Sequence, residues 1–128
     1  MKMTIKLLTM LMLTSILVFA SCEEKEEDPV LPTVTTAEVT AYQNGTADAG
    51  GNVTDDGRAD VTVRGVCWGS DPNPTTSKDK STNGAGTGAF THKITNLAPG
   101  FTYHCRAYAT NSVGTSYGAD VEFTVPVK

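Results

Sequence analysis

The region that most limits the fold begins at Val34, because from there to the end the sequence consists of short β-type runs. These runs are rich in Thr, Val and Tyr, and turn residues separate them about every ten positions. β-Branched and aromatic residues favour strands, whereas glycines and β-branched residues disfavour helices. None of the runs has the apolar spacing of an amphipathic helix. This region is therefore predicted to be all-β.

Turn chemistry divides the region into seven strands. Asn44-Gly45 closes the first strand, Asp56-Gly57 is a strong hairpin signal after the second, and an Asp71–Pro74 loop follows the third. The predicted strands are Val34–Tyr42, Ala47–Val53, Ala59–Trp68, a short one at Lys78–Thr82, Ala89–Leu97, Thr102–Thr110 and Tyr117–Val125. Seven strands within about 95 residues predict a single seven-stranded immunoglobulin-like sandwich.

The segment around Tyr103 narrows the fold further. Leu97 precedes a Pro99-Gly100 turn, Tyr103 comes three residues later, and Asn111 and Gly114 follow the next strand. This order resembles the fibronectin type III pattern. The strings Arg106–Ser112 and Arg64–Gly69 also resemble the fibronectin-type repeats of Bacteroidota surface proteins. The resemblance covers Val34 to Val125 and implies a tyrosine corner, in which the Tyr103 hydroxyl bonds to the backbone of the preceding turn.

The N-terminus has the parts of a secretory signal. Lys2 and Lys6 precede an apolar run, Leu7–Phe19, and the small pair Ala20-Ser21 comes directly before Cys22. The apolar run is shorter than the roughly 20 residues that a membrane-spanning helix needs. Residues 1–21 resemble a bacterial lipoprotein signal peptide, although Phe19 stands where an aliphatic residue is usual. The resemblance implies that Cys22 is lipidated and becomes the mature N-terminus.

Residues 22–31 are predicted to form a disordered, lipidated leash, and residues 32–128 the folded domain. Glu23, Glu24, Glu26 and Glu27 crowd like charges together, and such a run cannot bury apolar surface. The tract also resembles the acidic signal that directs Bacteroidota lipoproteins to the outer face of the outer membrane. We therefore expect an outer-membrane lipoprotein exposed on the surface of a Gram-negative bacterium.

Charge and motif content disfavour several classes of function. The net charge is −4, and removing Lys2 and Lys6 with the signal makes the mature chain more acidic. An acidic chain without a basic stripe is not expected to bind nucleic acid. His92 and His104 are expected to have neither a carboxylate nor a serine beside them as a base–nucleophile unit, and no Cys-x-x-Cys or paired histidine spacing indicates a metal. We expect a monomeric, non-enzymatic domain without a cofactor.

The phase of two strands decides whether a binding face exists. The corner at Tyr103 turns Cys105, Ala107 and Ala109 inward, and therefore turns His104, Arg106 and Tyr108 outward. Strict alternation from Val61 and Val63 along the third strand would turn Cys67 inward. Cys67 and Cys105 could then form a disulfide across neighbouring strands. In that case one outer face would carry the candidate binding residues Arg64, Trp68, Arg106 and Tyr108.

A bulge at Gly65 is the alternative, because a bulge lets a strand change phase. Val66 and Trp68 would then lie in the core and the cysteines on opposite faces. Neither a disulfide nor the binding face would form. The sequence leaves both arrangements open.

Two hypotheses for function remain. In the first, the sandwich binds or positions a glycan, a host protein or an envelope protein. In the second, it is a structural spacer of the envelope with no ligand of its own. An exposed patch of aromatic and basic residues would favour the first hypothesis, since the aromatic residues of a spacer would all lie in its core.

Overall fold

The structure, a computed structural model, describes residues 27–128. The predicted signal peptide, Cys22 and the first half of the predicted leash lie outside the described residues. Within residues 27–128 all regular structure is strand, and no helix there is long and apolar enough to cross a membrane. The strands are β1 (Thr33–Thr36), β2 (Thr40–Ala41), β3 (Ala47–Asp55), β4 (Val63–Gly69), β5 (Asp79–Lys80), β6 (Gly88–Ile94), β7 (Thr102–Thr110), β8 (Thr115–Tyr117) and β9 (Val121–Thr124).

The strands form two antiparallel sheets, which confirms the predicted all-β sandwich. In the first sheet, β1 and β2 pair with one side of β3 and β6 pairs with the other. In the second, β4 lies between β5 and β7, and β8 and β9 pair in succession with the far side of β7. There are nine strands instead of seven because the first and last predicted strands are each interrupted once.

The last predicted strand is divided into β8 and β9 at the point where β1 approaches it. The Gly118 N–H donates to the Ala107 carbonyl at 2.8 Å, while the Ala107 N–H donates to the Thr36 hydroxyl at 3.1 Å. A side chain at Gly118 would collide with Thr36, so only glycine fits there. The threonine hydroxyl of one sheet thus replaces a ladder hydrogen bond in the other.

The core lies between the two sheets and follows the predicted phase of β7. Cys105, Ala107 and Ala109 are fully buried, as the corner at Tyr103 requires. Small residues on this central strand leave space for larger side chains from the facing strands. The buried apolar side chains also include Val34, Ala47, Ala49, Val53, Val61, Val66, Phe90, Ile94, Leu97, Phe123 and Val125.

The phase predicted for β4 by strict alternation is wrong. Val66 lies opposite Ala107, and Trp68 lies opposite Cys105, so both face the core. The strand begins only at Val63, and the buried Val61 precedes it, so Val61 does not set the phase. The alternative phase is the one observed, with Val66 and Trp68 on the core side and the two cysteines on opposite faces. The bulge at Gly65 that was to produce it is absent from the pairing of β4 with β7, whose register continues without a shift.

The chain enters at one end of the sandwich, here called the entry end. The Val30 N–H donates to the Gly57 carbonyl at 2.8 Å, and the Arg58 side chain binds the Asp28 carbonyl at 2.9 Å and the Glu27 carboxylate at 3.1 Å. Residues 27–31 therefore contact the domain, although they were predicted to belong to the leash. The β4–β5 loop, the β6–β7 turn and the C-terminus lie at the opposite end, here called the distal end.

Candidate functional site at the distal end

The predicted outer binding face does not form. Trp68 and Arg64 project from the core side of β4, whereas Arg106 and Tyr108 project from the outer side of β7. Tyr108 is only 1% exposed, because residues around Ser81 cover it, and its hydroxyl donates to the Ser81 carbonyl at 2.6 Å. No exposed platform joins these four side chains.

The two described cysteines are both free and buried. Cys67 lies opposite Arg106 on the outer side of the sheet, whereas Cys105 faces the core, so the predicted disulfide cannot form. Burial raises the pKa of the Cys67 thiol to about 11 and that of Cys105 to about 12. Both thiols are therefore protonated at neutral pH.

Arg64 holds the turn between β5 and β6. Its Nε donates to the Asn83 carbonyl at 3.0 Å, and its Nη1 donates to the Thr87 carbonyl at 2.8 Å. The guanidinium also lies 5.4 Å from the centre of the Phe90 ring. With these contacts, Arg64 fixes a glycine-rich turn and is not free to contact a ligand.

Arg106 holds the β4–β5 loop against the outer side of the second sheet. Its Nε donates to the Pro74 carbonyl at 2.8 Å, and its Nη2 donates to the Asn73 carbonyl at 3.3 Å. The guanidinium lies over the Tyr117 ring, and the Tyr117 hydroxyl accepts the Thr76 N–H at 3.1 Å. One arginine and one tyrosine thus bind three residues of the loop, Asn73, Pro74 and Thr76.

Two further contacts brace the same loop. The Asp120 carboxylate accepts the Asn73 N–H at 3.2 Å, and it lies 2.9 Å from Nδ1 of His104. The Cys67 thiol donates to the Pro74 carbonyl at 3.3 Å. The loop is therefore fixed from behind by side chains of β4, β7, β8 and the β8–β9 link.

On its other side, the braced loop forms one wall of a groove of about 870 Å³. The β6–β7 turn forms the second wall. Trp68, Leu97 and Tyr103 line the groove between the walls, and the half-buried Trp68 stacks on His92 with ring centres 5.8 Å apart. Polar side chains from both walls complete the lining: Ser70, Asp71, Asn73, Thr75, Ser77, Lys78, Asp79, Thr95 and Asn96.

Solved structures of fibronectin type III domains match the structure. The sixth fibronectin type III domain of human fibronectin type III domain containing protein 3 matches with a TM-score of 0.55 and 23% identity, over 82% of this chain and 92% of that domain. The fourth FNIII domain of a human protein matches with a TM-score of 0.56 and 18% identity, over 80% and 82%. The domain has the fibronectin type III fold.

The same fold is shared with the sensor domain of the anti-sigma factor RsgI4 of Pseudobacteroides cellulosolvens. That match has a TM-score of 0.56 and 11% identity and covers 80% of this chain and all of that one. No protein-family model matches the chain, and no curated protein matches it. The likeness therefore establishes the fibronectin type III fold alone.

The tyrosine corner of this fibronectin type III domain has the predicted hydrogen bond. The Tyr103 hydroxyl accepts the Ala98 N–H at 3.0 Å, and the ring stacks on Phe123 with ring centres 5.8 Å apart. The corner fixes the β6–β7 turn, which is the second wall of the groove. A residue predicted for its structural role thus also positions the candidate site.

Backbone conformation marks both walls of the groove. Of the three non-glycine residues with positive φ in residues 27–128, two are Asn73, at 55°, and Asn96, at 62°. Asparagine tolerates this left-handed conformation better than most residues. The sequence signal for these walls was the Asp71–Pro74 loop and the Pro99-Gly100 turn, but nothing local indicated that the two segments meet.

Apolar and hydrogen-bonding groups line the groove, and a histidine–carboxylate contact lies behind its loop wall. Within the described residues, no group of three His, Cys, Asp or Glu side chains could hold a metal ion. The prediction that no carboxylate lies beside His104 is wrong, because Asp120 contacts its Nδ1 and Glu122 lies 3.6 Å from its Nε2. Both carboxylates come from the segment that pairs with β7 or directly precedes that pairing, which the spacing in the sequence did not indicate. The groove itself offers an apolar floor with hydrogen-bonding groups on both walls.

Proposed function

We propose that this chain is a non-catalytic, lipid-anchored protein of the bacterial envelope, and that its sandwich binds a partner through the distal groove. The observation that carries the proposal is the position of the groove. It opens at the end of the sandwich opposite to the entry of the chain. Strands β3 and β7 are nine residues long, which separates the two ends by about 30 Å.

The length of the leash supports this orientation. Five residue steps separate Cys22 from Glu27, where contact with the domain begins, and they span at most about 18 Å. Acyl chains on Cys22 would therefore keep the entry end next to the bilayer. The groove would then face away from the membrane, where a glycan, a host protein or an envelope protein can reach it.

The bracing of the β4–β5 loop supports binding over a purely structural role. Ordering a loop when a ligand arrives costs conformational entropy, and a loop that is already fixed avoids this cost. The contacts of Arg106, Tyr117 and Asp120 fix the loop in the free chain. A spacer has no need of such a loop.

A spacer function is the second candidate, and exposed apolar side chains at both ends favour it. Val30, Leu31 and Val113 are exposed at the entry end, and Phe101 and Val127 at the distal end. End-to-end contact between neighbouring domains would cover such side chains. In that case the groove would have no ligand.

Replacing Cys22 tests the anchor. In the Cys22→Ala variant, the protein should keep its signal or leave the membrane fraction as a soluble species. If a Cys22→Ala variant whose signal has been removed stays on the membrane after a high-salt wash, lipid is not the anchor. Neutralising Glu23, Glu24, Glu26 and Glu27 should preserve the lipid but reduce protease accessibility on whole cells, and unchanged accessibility would remove the export proposal.

A capture experiment tests the binding function. The mature chain should retain a polysaccharide or an envelope protein from its own cell, and Asp79→Asn and Asn96→Gly should lose it. Glycine at position 96 removes the side chain but accepts the positive φ. Glu38→Gln is the matched control, because Glu38 is exposed and lies outside the groove. A spacer would retain nothing that depends on the groove.

A further inference from the structure

We propose that the distal groove binds a neutral saccharide; this inference rests on the proposed function and names its ligand class. Trp68 and Tyr103 give the groove an aromatic lining. The flat faces of sugar rings carry C–H groups, which pack well against the apolar, electron-rich face of an aromatic side chain.

The walls carry hydrogen-bonding groups that match hydroxyl groups. Asp71 and Asp79 stand on the loop wall and Asn96 on the turn wall. Within residues 27–128 none of these three side chains is hydrogen-bonded or ion-paired. Carboxylates accept hydrogen bonds, while an amide both donates and accepts, so together they can satisfy hydroxyl groups in either role. A sugar ring presents such hydroxyls around its edge.

Charge and size restrict the ligand further. The groove carries the carboxylates of Asp71 and Asp79 and the single ammonium group of Lys78. This balance repels anionic ligands such as uronic acids and phosphorylated compounds. The volume of about 870 Å³ lies within the range of small-molecule clefts, about 300–1,000 Å³. One or a few neutral sugar units fit these limits.

A protein partner is disfavoured at this position. Protein interfaces use exposed aromatic or large apolar anchors and bury about 800 Å² on each partner. The most exposed large apolar side chains of the described chain are Val30, Leu31, Tyr42, Phe101, Val113 and Val127, and none of them lines the groove. The aromatic side chains that do line it, Trp68 and Tyr103, are only partly exposed, so the groove has no fully exposed anchor for a protein partner.

The single tryptophan of the chain provides a direct test. Trp68 is the only tryptophan in the sequence and lines the groove, so its fluorescence reports binding there. The mature chain is purified in an amine-oxide detergent, because many other detergents have sugar headgroups. It is titrated with short oligosaccharides of glucose, mannose and N-acetylglucosamine, and with polygalacturonate as the anionic probe.

We expect at least one neutral oligosaccharide to change the fluorescence of Trp68 in a saturable way. Asp79→Asn and Asn96→Gly should each raise the dissociation constant of this oligosaccharide about tenfold, because each variant loses one hydrogen bond to the polar ligand. Glu38→Gln should leave it unchanged. Unfolding curves of all variants are recorded in parallel, so that a loss of folding is separated from a loss of binding.

Three results would overturn the inference. The first is stronger binding of polygalacturonate than of every neutral oligosaccharide, and the second is no saturable change in Trp68 fluorescence with any neutral oligosaccharide up to about 10 mM. The third is a fluorescence change that is the same in both groove variants as in the original chain. If saccharides fail but the captured partner is a protein lost in the groove variants, the proposed function stands and the saccharide inference fails. If capture also fails to depend on the groove, both fail.

Discussion

The guanidinium carbon of Arg106 lies 4.0 Å from the centre of the Tyr117 ring, between two neighbouring strands of the second sheet. Guanidinium and aromatic faces attract each other at this distance. The stacked pair points its donors and its hydroxyl toward the β4–β5 loop, which it holds from behind. Side chains on the outer side of the second sheet therefore fix the β4–β5 loop, which is one wall of the groove. A partner in the groove would contact the opposite side of this loop.

Arg106→Met should release the loop and lower the free energy of unfolding by about 1–3 kcal/mol, measured by urea denaturation. The Asn73 carbonyl loses the donor that Arg106 gives it, the Pro74 carbonyl keeps only the weak Cys67 thiol donor, and the Tyr117 ring loses its cation. Because the Cys67 thiol lies under the same loop, its labelling by a thiol reagent should become faster. Lys80→Met, at an exposed cation of β5, is the control, and equal behaviour of the two variants would contradict the bracing.

Tyr108→Phe should destabilise the domain as much as Tyr103→Phe, each by about 1–3 kcal/mol. The first substitution leaves the buried Ser81 carbonyl without its donor, and the second leaves the Ala98 N–H without its acceptor. Tyr42→Phe serves as the reference, because that tyrosine is exposed, and it should cost less than about 0.5 kcal/mol. A Tyr108→Phe variant as stable as Tyr42→Phe would mean that Tyr108 is not covered.

Gly65→Ala should be strongly destabilising, whereas Gly69→Ala on the same strand should be tolerated. A side chain at position 65 would collide with the backbone of Ser81, while one at position 69 would meet nothing within 4 Å. We expect a loss of about 1–3 kcal/mol at position 65, measured by thermal or urea unfolding. Equal stability of the two variants would show that the segment around Ser81 does not lie against β4.

Stability should fall as the pH rises above about 9, because the buried thiols resist ionisation. A thiol ionises near its ordinary pKa of 9.0 once the chain is unfolded, but the pKa is about 11 for Cys67 and about 12 for Cys105 in the fold. Between these values the unfolded state holds fewer protons, so alkali favours unfolding. Replacing Cys105 by alanine should flatten the decline measured by urea unfolding at each pH. An unchanged slope would contradict the burial of this thiol.

The sequence was sufficient to predict the strands because their signals are local. Asn44-Gly45 and Asp56-Gly57 end their strands as turn chemistry requires, and the small alternating residues of β7 fix its inner side. The corner at Tyr103 could also be predicted, since its partner lies in the adjacent turn. Each of these features depends on residues close in the chain.

The errors came from contacts between distant segments. The phase of β4 depends on where the strand begins, and Val61, which lies just before it, suggested the wrong side. Gly65 does not form a bulge; it gives the backbone of Ser81 space to pack against the strand, and this segment buries Tyr108. The groove was also missed, because its two walls come from separate parts of the sequence.

Collisional quenching by acrylamide, with and without soluble envelope extract from the same cell, tests the role of the groove most directly. Trp68 is replaced by 7-azatryptophan in every variant, so that its emission is separated from that of the tryptophans in the extract. In the free mature chain we predict intermediate quenching, since Trp68 is half-buried and lines the groove. The extract should reduce quenching in the original chain and in Glu38→Gln, but not in Asn96→Gly. If the extract leaves the quenching of Trp68 unchanged in the original chain, or protects the Asn96→Gly variant equally, the groove is not the recognition site.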